Sequence, residues 1–179
     1  MPRKPREEEA GAIHHVFARG NNRRAIFLDD VDRRMYLSML ERVTIRQGWL
    51  LLAYCLMDNH VHHLVETPDP NLGDGMRRLH GEYAQAHNAR HGACGHLFQS
   101  RFGAKRVTSD EQLWVVAAYI ARNPVEAGRC ARAEDWPWSS HTALLEGREP
   151  PWLGGGRLLE LFAAAGGEGR RRYAEMVAG

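Results

Sequence analysis

His60 and His62, separated by one valine, form the pattern in this sequence with the clearest capacity for chemistry. On a β-strand, side chains two residues apart point to the same face, so the two imidazoles would aim at one point and could hold a metal ion. A metal with only two or three protein ligands keeps positions open for substrate oxygens, which distinguishes catalytic sites from structural ones. The alternative is a pair of surface or hydrogen-bonded histidines that bind nothing.

Tyr119 and Asn123 form a second pattern near the end of a predicted helix. They are four residues apart, so they would lie one turn apart on the same side. Tyr119 falls at the border of the apolar stripe, where its hydroxyl could reach a site, and Asn123 could add an amide oxygen. The alternative is a core tyrosine and an asparagine that ends the helix before a proline.

A hairpin is expected to position the two histidines. The apolar run 50–57 predicts a central strand, Asp58 and Asn59 are typical of a turn, and residues 60–66 predict the returning strand. Val61, between the histidines, would point the other way and into the core.

Periodicity and capping residues predict the remaining elements. Strands are expected at 13–18 and 102–107, and helices at 29–47, 71–92 and 109–124. Pro124 is expected to end the third helix, because the residue before a proline avoids the helical region. Strands and helices alternate, yet one strand pair is joined by a tight turn. This order predicts an α+β fold, a ferredoxin-like antiparallel sheet with helices on one face.

Composition favours a nucleic-acid partner only weakly, because 24 basic residues are nearly balanced by 22 acidic ones. The basic residues are clustered, however, and such clusters bind phosphate backbones. Three widely spaced cysteines indicate free thiols in a reducing compartment. A charged start and apolar runs too short to cross a bilayer predict a cytoplasmic protein.

The run 54–66, YCLMDNHVHHLVE, resembles the His-hydrophobic-His motif of single-tyrosine transposases, and more narrowly that of the REP-associated tyrosine transposase branch. Four further segments agree with this family and come in its order: RGNNR at 19–23, GHLFQSR at 95–101, YIARNPVEAG at 119–128 and WPWSS at 136–140. The resemblance implies a transposase domain at 12–147, preceded by a flexible segment at 1–11 and followed by a helical extension at 148–179.

The same resemblance implies a metal-dependent enzyme that cuts and rejoins single-stranded DNA. His60 and His62 would be metal ligands, and Asn123 would occupy the position of a third, polar ligand. Tyr119 would attack the phosphate, stay bound to the 5′ phosphate and release a 3′ hydroxyl. Phosphate chemistry with open metal positions favours Mg²⁺ or Mn²⁺, although imidazoles alone would suggest zinc.

The expected partner is single-stranded DNA beside a hairpin, bound by a basic groove with aromatic platforms. A monomer with the tyrosine acting in cis is favoured, with a homodimer as the alternative. The candidate DNA contacts are Arg19, Asn21, Asn22, Arg23, Arg77, Arg78, Phe98, Arg101, Lys105 and Arg106.

Two positions depart from the family pattern. Asp58 stands where the family usually has proline, so a looser turn before His60 is expected. His63 stands where an aliphatic residue is usual, and it is expected to be structural, hydrogen-bonded under the sheet. Two other functions remain open from the sequence. One is a replication initiator or relaxase, although relaxases place the tyrosine before the histidines. The other is a hairpin-binding regulator that does not cleave DNA.

Overall fold

The computed structural model describes residues 8–164 and 168–179, and its central sheet has four strands. The strands are β1 (Ala12–Arg19), β2 (Leu50–Leu56), β3 (His60–Thr67) and β4 (Gly103–Val107). The longer helices are α1 (Asp30–Gln47), α2 (Leu72–His91) and α3 (Asp110–Glu126). The shorter helices are α4 (His141–Glu146), α5 (Gly155–Ala163) and α6 (Gly169–Ala178).

The sheet order is β2-β3-β1-β4, and every pairing is antiparallel. With α1 between β1 and β2 and α2 between β3 and β4, this is the ferredoxin-like order, so the predicted fold class is confirmed. The register places Arg19 opposite His60 and Phe17 opposite His62. The end of β1 therefore lies beside the histidine pair.

Helices cover both faces of the sheet. On one face lie α1 and α2, and the Tyr36 ring of α1 stacks on His63. On the other face lies α3, where Tyr119 contacts His62. The expectation of helices on one face therefore holds for α1 and α2 only. The third helix lies where Tyr119 and Asn123 can approach the histidine pair.

The turn between β2 and β3 is held by several contacts. The Asp58 carbonyl accepts hydrogen bonds from the amides of Ile26 and Phe27, at 2.8 and 3.2 Å. The Asp58 carboxylate is 2.5 Å from the guanidinium of Arg33 and also pairs with Arg129, just after α3. The expectation of a looser turn is therefore wrong, because two ion pairs to the Asp58 carboxylate hold the turn in place where a proline would restrict its backbone.

The third helix begins as predicted and ends later than predicted. Its cap is formed by Ser109, whose hydroxyl accepts a hydrogen bond from the amide of Gln112 at 3.2 Å. Pro124 lies inside the helix, which continues to Glu126, so the prediction that it ends the helix is wrong. A proline in the last turn removes only one backbone bond, and the Ala127 amide still reaches the Asn123 carbonyl at 3.0 Å.

Two outer segments complete the packing. Residues 136–140 bond to the outer edge of β2, where the Trp136 indole donates to the Leu56 carbonyl at 3.0 Å. The C-terminal helices α5 and α6 pack against β2 and α3. The predicted flexible segment 1–11 lies partly outside the described residues; of its remainder, Glu8 accepts a hydrogen bond from the amide of Gly73 at 2.6 Å. Within the described ranges, no helix is long and apolar enough to cross a membrane.

Candidate active site

The two histidines of β3 point to the same face, with their ring centroids 5.1 Å apart. Val61 between them is fully buried against the opposite layer, as strand alternation requires. His60 reaches towards α3, where its Nε2 is 2.9 Å from Oδ1 of Asn123. The structure thus places together the three residues that the sequence motif singled out as ligands.

A third histidine, His15, joins this face from β1, and the sequence reasoning missed it. Its Nε2 lies 3.0 Å from Nδ1 of His62. Alternation along β1 was the signal that could have found it, because His15 shares a face with Phe17, which pairs with His62.

Each histidine of the pair has a partner at Nδ1, so Nε2 is the nitrogen that could ligate a metal ion. Asn59 Oδ1 is 2.7 Å from Nδ1 of His60, and His15 occupies the same position for His62. Metal-binding histidines are usually fixed in this way, because the second nitrogen's partner sets the tautomer and the ring orientation. The arrangement therefore suits metal ligation through both Nε2 atoms.

Electrostatics keep these imidazoles neutral. Burial lowers the pKa of His62 to about 2 and that of His15 to about 4. Burial also lowers the pKa of His60. A neutral imidazole has only one N–H. Once His60 donates Nδ1–H to Asn59, the lone pair of Nε2 faces the amide oxygen of Asn123.

The 2.9 Å between His60 Nε2 and Asn123 Oδ1 brings two atoms together that could both ligate a metal ion. Two imidazoles and one amide oxygen would leave positions open for substrate oxygens.

Tyr119 lies over the same histidines and is partly open to solvent. Its ring centroid is 5.4 Å from that of His62 and 5.9 Å from that of His15, both edge-on. The residue is 38% exposed. Its ring therefore does not lie in the core layer of α1 and α2, so the alternative of a core tyrosine is wrong.

A cleft of about 710 Å³ opens beside the histidine pair and is lined by polar and basic groups. Its walls include Arg19 from the end of β1 and Arg101 from the segment before β4. Lys105 lies on the same sheet face, since it pairs with His15 across β1 and β4. Arg19 and Arg101 therefore bring positive charge to the cleft that the histidine pair lines.

The other predicted DNA contacts are spread more widely. The turn residues Asn21, Asn22 and Arg23 follow Gly20 at the end of β1, and Arg23 lines a small pocket together with His60. Arg77 and Phe98 line an adjoining groove of about 760 Å³, which shares the segment Gln99 to Phe102 with the cleft.

Two of the predicted basic contacts lie apart from both grooves. Arg78 pairs with Glu82, while Arg106 pairs with Glu9 and lies opposite His14 on the other sheet face. The structure therefore does not bring these two arginines to the site.

A ferredoxin-like sheet with a histidine pair under a tyrosine-bearing helix is the arrangement expected of single-tyrosine transposases. The family model described as IS200-like transposase matches residues 10–123. The chain belongs to this family, and the resemblance noted in its sequence is confirmed.

One solved structure shows the same fold. The chain is similar to a REP-associated tyrosine transposase bound to a REP hairpin, with a TM-score of 0.70 and 21% identity over 84% of this chain and 89% of that one. It also matches a crystal structure of a Deinococcus radiodurans R1 protein described as a transposase, with a TM-score of 0.47 and 17% identity over 72% of this chain and 98% of that one. A search of curated proteins gives no match.

Proposed function

We propose that this chain is a metal-dependent transposase that nicks and rejoins single-stranded DNA beside a hairpin, with Tyr119 as the nucleophile. The observation that best supports the proposal is the position of the partly exposed Tyr119 ring, edge-on to His62, which itself lines the cleft. Membership of the IS200-like family supports the reaction class. The hairpin partner is proposed from the similar structure that holds a REP hairpin.

The proposed ligands are Nε2 of His60, Nε2 of His62 and Oδ1 of Asn123. Bound there, Mg²⁺ or Mn²⁺ would withdraw charge from a non-bridging phosphate oxygen and orient the phosphorus for attack. Asn59 and His15 act as positioning residues, because they hold Nδ1 of the two imidazoles.

Tyr119 performs the covalent step. Its phenolic oxygen loses a proton and forms a bond to phosphorus, while the bond from phosphorus to the 3′ oxygen breaks. The departing 3′ oxygen takes up a proton, and the DNA remains attached to Tyr119 through its 5′ phosphate. A new 3′ hydroxyl can reverse the exchange, so rejoining needs no external energy source.

The DNA backbone is proposed to follow the basic cleft. Arg19, Arg101 and Lys105 contact phosphates nearest the nucleophile, and Asn21 to Arg23 contact the strand at the rim. Phe98 and Arg77 extend this surface into the adjoining groove. Phosphate contacts of this kind make binding fall steeply as salt rises.

An oligonucleotide with one hairpin and a single-stranded flank tests this function. We expect nicking in the flank with Mg²⁺ or Mn²⁺ and none in excess chelator, and the matched control is a fully duplex oligonucleotide of the same sequence. Tight hairpin binding without nicking in either metal would instead identify a regulator, and nicking in chelator would contradict the metal ligands.

A monomer acting in cis is also part of the proposal, since α3 packs on β2 and β3 of its own chain. Mixing inactive Tyr119→Phe protein with inactive His60→Ala protein distinguishes the two possibilities. We expect no recovery of nicking. Recovery would show that the tyrosine acts on a partner's metal site. The cytoplasmic location remains a prediction from the thiols.

A further inference from the structure

On the other side of the sheet from Tyr119, α1 and α2 hold a second cluster of metal-ligating groups. Asp32 of α1 lies beside His87 and His91 of α2, and one ligand atom from each lies within 4.8 Å of the others. The two histidines are four residues apart on the helix, so they face the same side. From this cluster we infer a second, structural metal site that binds zinc or a similar late transition metal.

His87 is the strongest indication of an absent ligand. The residue is only 5% exposed. Neither of its ring nitrogens has a hydrogen-bond partner at normal geometry among residues 8–164 and 168–179. An imidazole buried without a partner is costly, whereas a metal ion would satisfy one nitrogen. Burial lowers the pKa of His87, so the ring is neutral and its lone pair is available.

Asp32 and His91 are already arranged as a pair of ligands. Nε2 of His91 lies 3.0 Å from both carboxylate oxygens of Asp32. Nη1 of Arg90 lies 3.0 Å from the same Nε2. The tautomer with its proton on Nδ1 would direct the Nε2 lone pair to this point, where a metal ion could bind it.

The charges around the cluster accommodate a cation. Arg90 donates to Asp32 at 2.6 Å, and it also holds both oxygens of Asp29, at 3.1 and 2.6 Å. Two carboxylates and one guanidinium leave a net negative charge. Since Nη1 of Arg90 contacts the ligand atoms of both Asp32 and His91, a metal ion would displace Nη1, and Arg90 would keep its Nη2 contact to Asp29.

The donor set selects the metal. Two imidazoles and one carboxylate suit Zn²⁺ with a tetrahedral shell, whereas Mg²⁺ prefers oxygens alone. One ion would connect the end of α2 to the start of α1. It would therefore stabilise the layer that supports the sheet, independently of the chemistry at Tyr119.

The test uses the full chain with His60→Gln and His62→Gln, which removes the proposed active-site ligands. We expect this double variant to retain one equivalent of Zn²⁺ after dialysis, to raise its Tm as Zn²⁺ is added, and to give tetrahedral absorption bands with Co²⁺. Adding His91→Gln should weaken Zn²⁺ binding at least about tenfold, since even groups outside the ligand shell contribute that much. The matched control is the exposed His96→Gln, which should change nothing.

Two further substitutions protect the test against misfolding. His87→Gln removes the buried ligand, and Asp32→Asn keeps its shape while removing its charge. If the His87 variant fails to fold, the Zn²⁺ affinities of the His91 and Asp32 variants test the inference instead. A double variant that binds no Zn²⁺, or one whose Zn²⁺ affinity is unchanged by both His91→Gln and Asp32→Asn, would overturn the inference.

Discussion

On β3, His60 and His62 point into the cleft under α3, whereas His63 points into the layer of α1 and α2. The first two line the cleft and are held through Nδ1 by Asn59 and His15. His63 is fully buried, stacks on Tyr36 and lies 3.3 Å from its hydroxyl. Adjacent residues of one type therefore differ in role because of the face they occupy and the partners they meet there.

Both faces suppress protonation, but with different consequences. Burial lowers the pKa of His63 to about 3, close to the value of about 2 for His62. Neutrality in the core layer preserves packing, while neutrality at the cleft would preserve a lone pair for the proposed metal ion. The lowered pKa is therefore common to His62 and His63 and does not distinguish their roles. The position of His62 beside an open cleft does distinguish them.

The largest expected effect on nicking comes from substituting a proposed metal ligand on the cleft face. His60→Ala and His62→Ala should each lower the nicking rate at least about 100-fold, because the loss of a ligand exceeds the effect of an outer-shell group. The nicking rate at fixed metal concentration measures this. A variant that keeps more than a tenth of the activity would contradict the role of that histidine.

The matched substitution on the other face is His63→Ala. It removes the ring that stacks on Tyr36, leaves a cavity and deprives the Tyr36 hydroxyl of one of its two histidine partners. We expect the free energy of unfolding to fall by about 2–4 kcal/mol, with nicking by the folded fraction changed only slightly. Urea denaturation measures the first quantity. A stable variant with no activity would instead place His63 in the chemistry.

Asp58 connects the two regions, because its carboxylate pairs with Arg33 of α1 and with Arg129 after α3. Asp58→Asn should lower the free energy of unfolding by about 1–3 kcal/mol, since Arg33 is largely buried and loses its closest charge. Nicking should fall about tenfold, because the turn between β2 and β3 and the end of α3 would no longer be held by the same carboxylate.

The control for this prediction is Asp30→Asn, which removes the exposed partner of Arg33. It should change the free energy of unfolding by no more than about 0.5 kcal/mol. Equal effects of the two substitutions would show that Asp58 has no special connecting role.

A smaller effect concerns acid stability in the helical layer. Burial lowers the pKa of His80 to about 3 from 6.5. Between these pH values the unfolded chain binds a proton that the folded chain does not, so the free energy of unfolding decreases as pH falls. This histidine contributes up to about 1.4 kcal/mol per pH unit. In the His80→Gln variant, the free energy of unfolding should decrease less steeply between pH 6 and 4, by about 1 kcal/mol per pH unit. Urea denaturation at each pH measures this slope. An unchanged slope would contradict the assignment.

Much of this arrangement is predictable from local patterns. Strand alternation and turn residues predict the hairpin of β2 and β3, and the cap at Ser109 predicts the start of α3. Non-local facts are not predictable in this way. His15 reaches the site only through the pairing of β1 with β3, and Asp58 finds Arg33 and Arg129 only in the folded chain.

The end of α3 shows the limit of a local rule. A proline usually disfavours helical conformation at the preceding residue. Asn123 is nevertheless helical and only 7% exposed, because α3 packs on the sheet. The helix α2, which contains His87, is predictable from the sequence. The contact of His87 with Asp32 is not, because it depends on how α1 and α2 pack.

The most direct measurement of the central claim is the site and polarity of the covalent adduct. The protein is incubated with Mn²⁺ and two hairpin oligonucleotides, one labelled at the 5′ end and one at the 3′ end, and the adduct is mapped by mass spectrometry. We predict that only the 3′ label becomes attached to protein, that the attachment is on Tyr119, and that Tyr119→Phe abolishes it while hairpin binding is retained. Of the five tyrosines, Tyr119 is the exposed one. Attachment to another tyrosine, or attachment of the 5′-labelled fragment, would contradict the account.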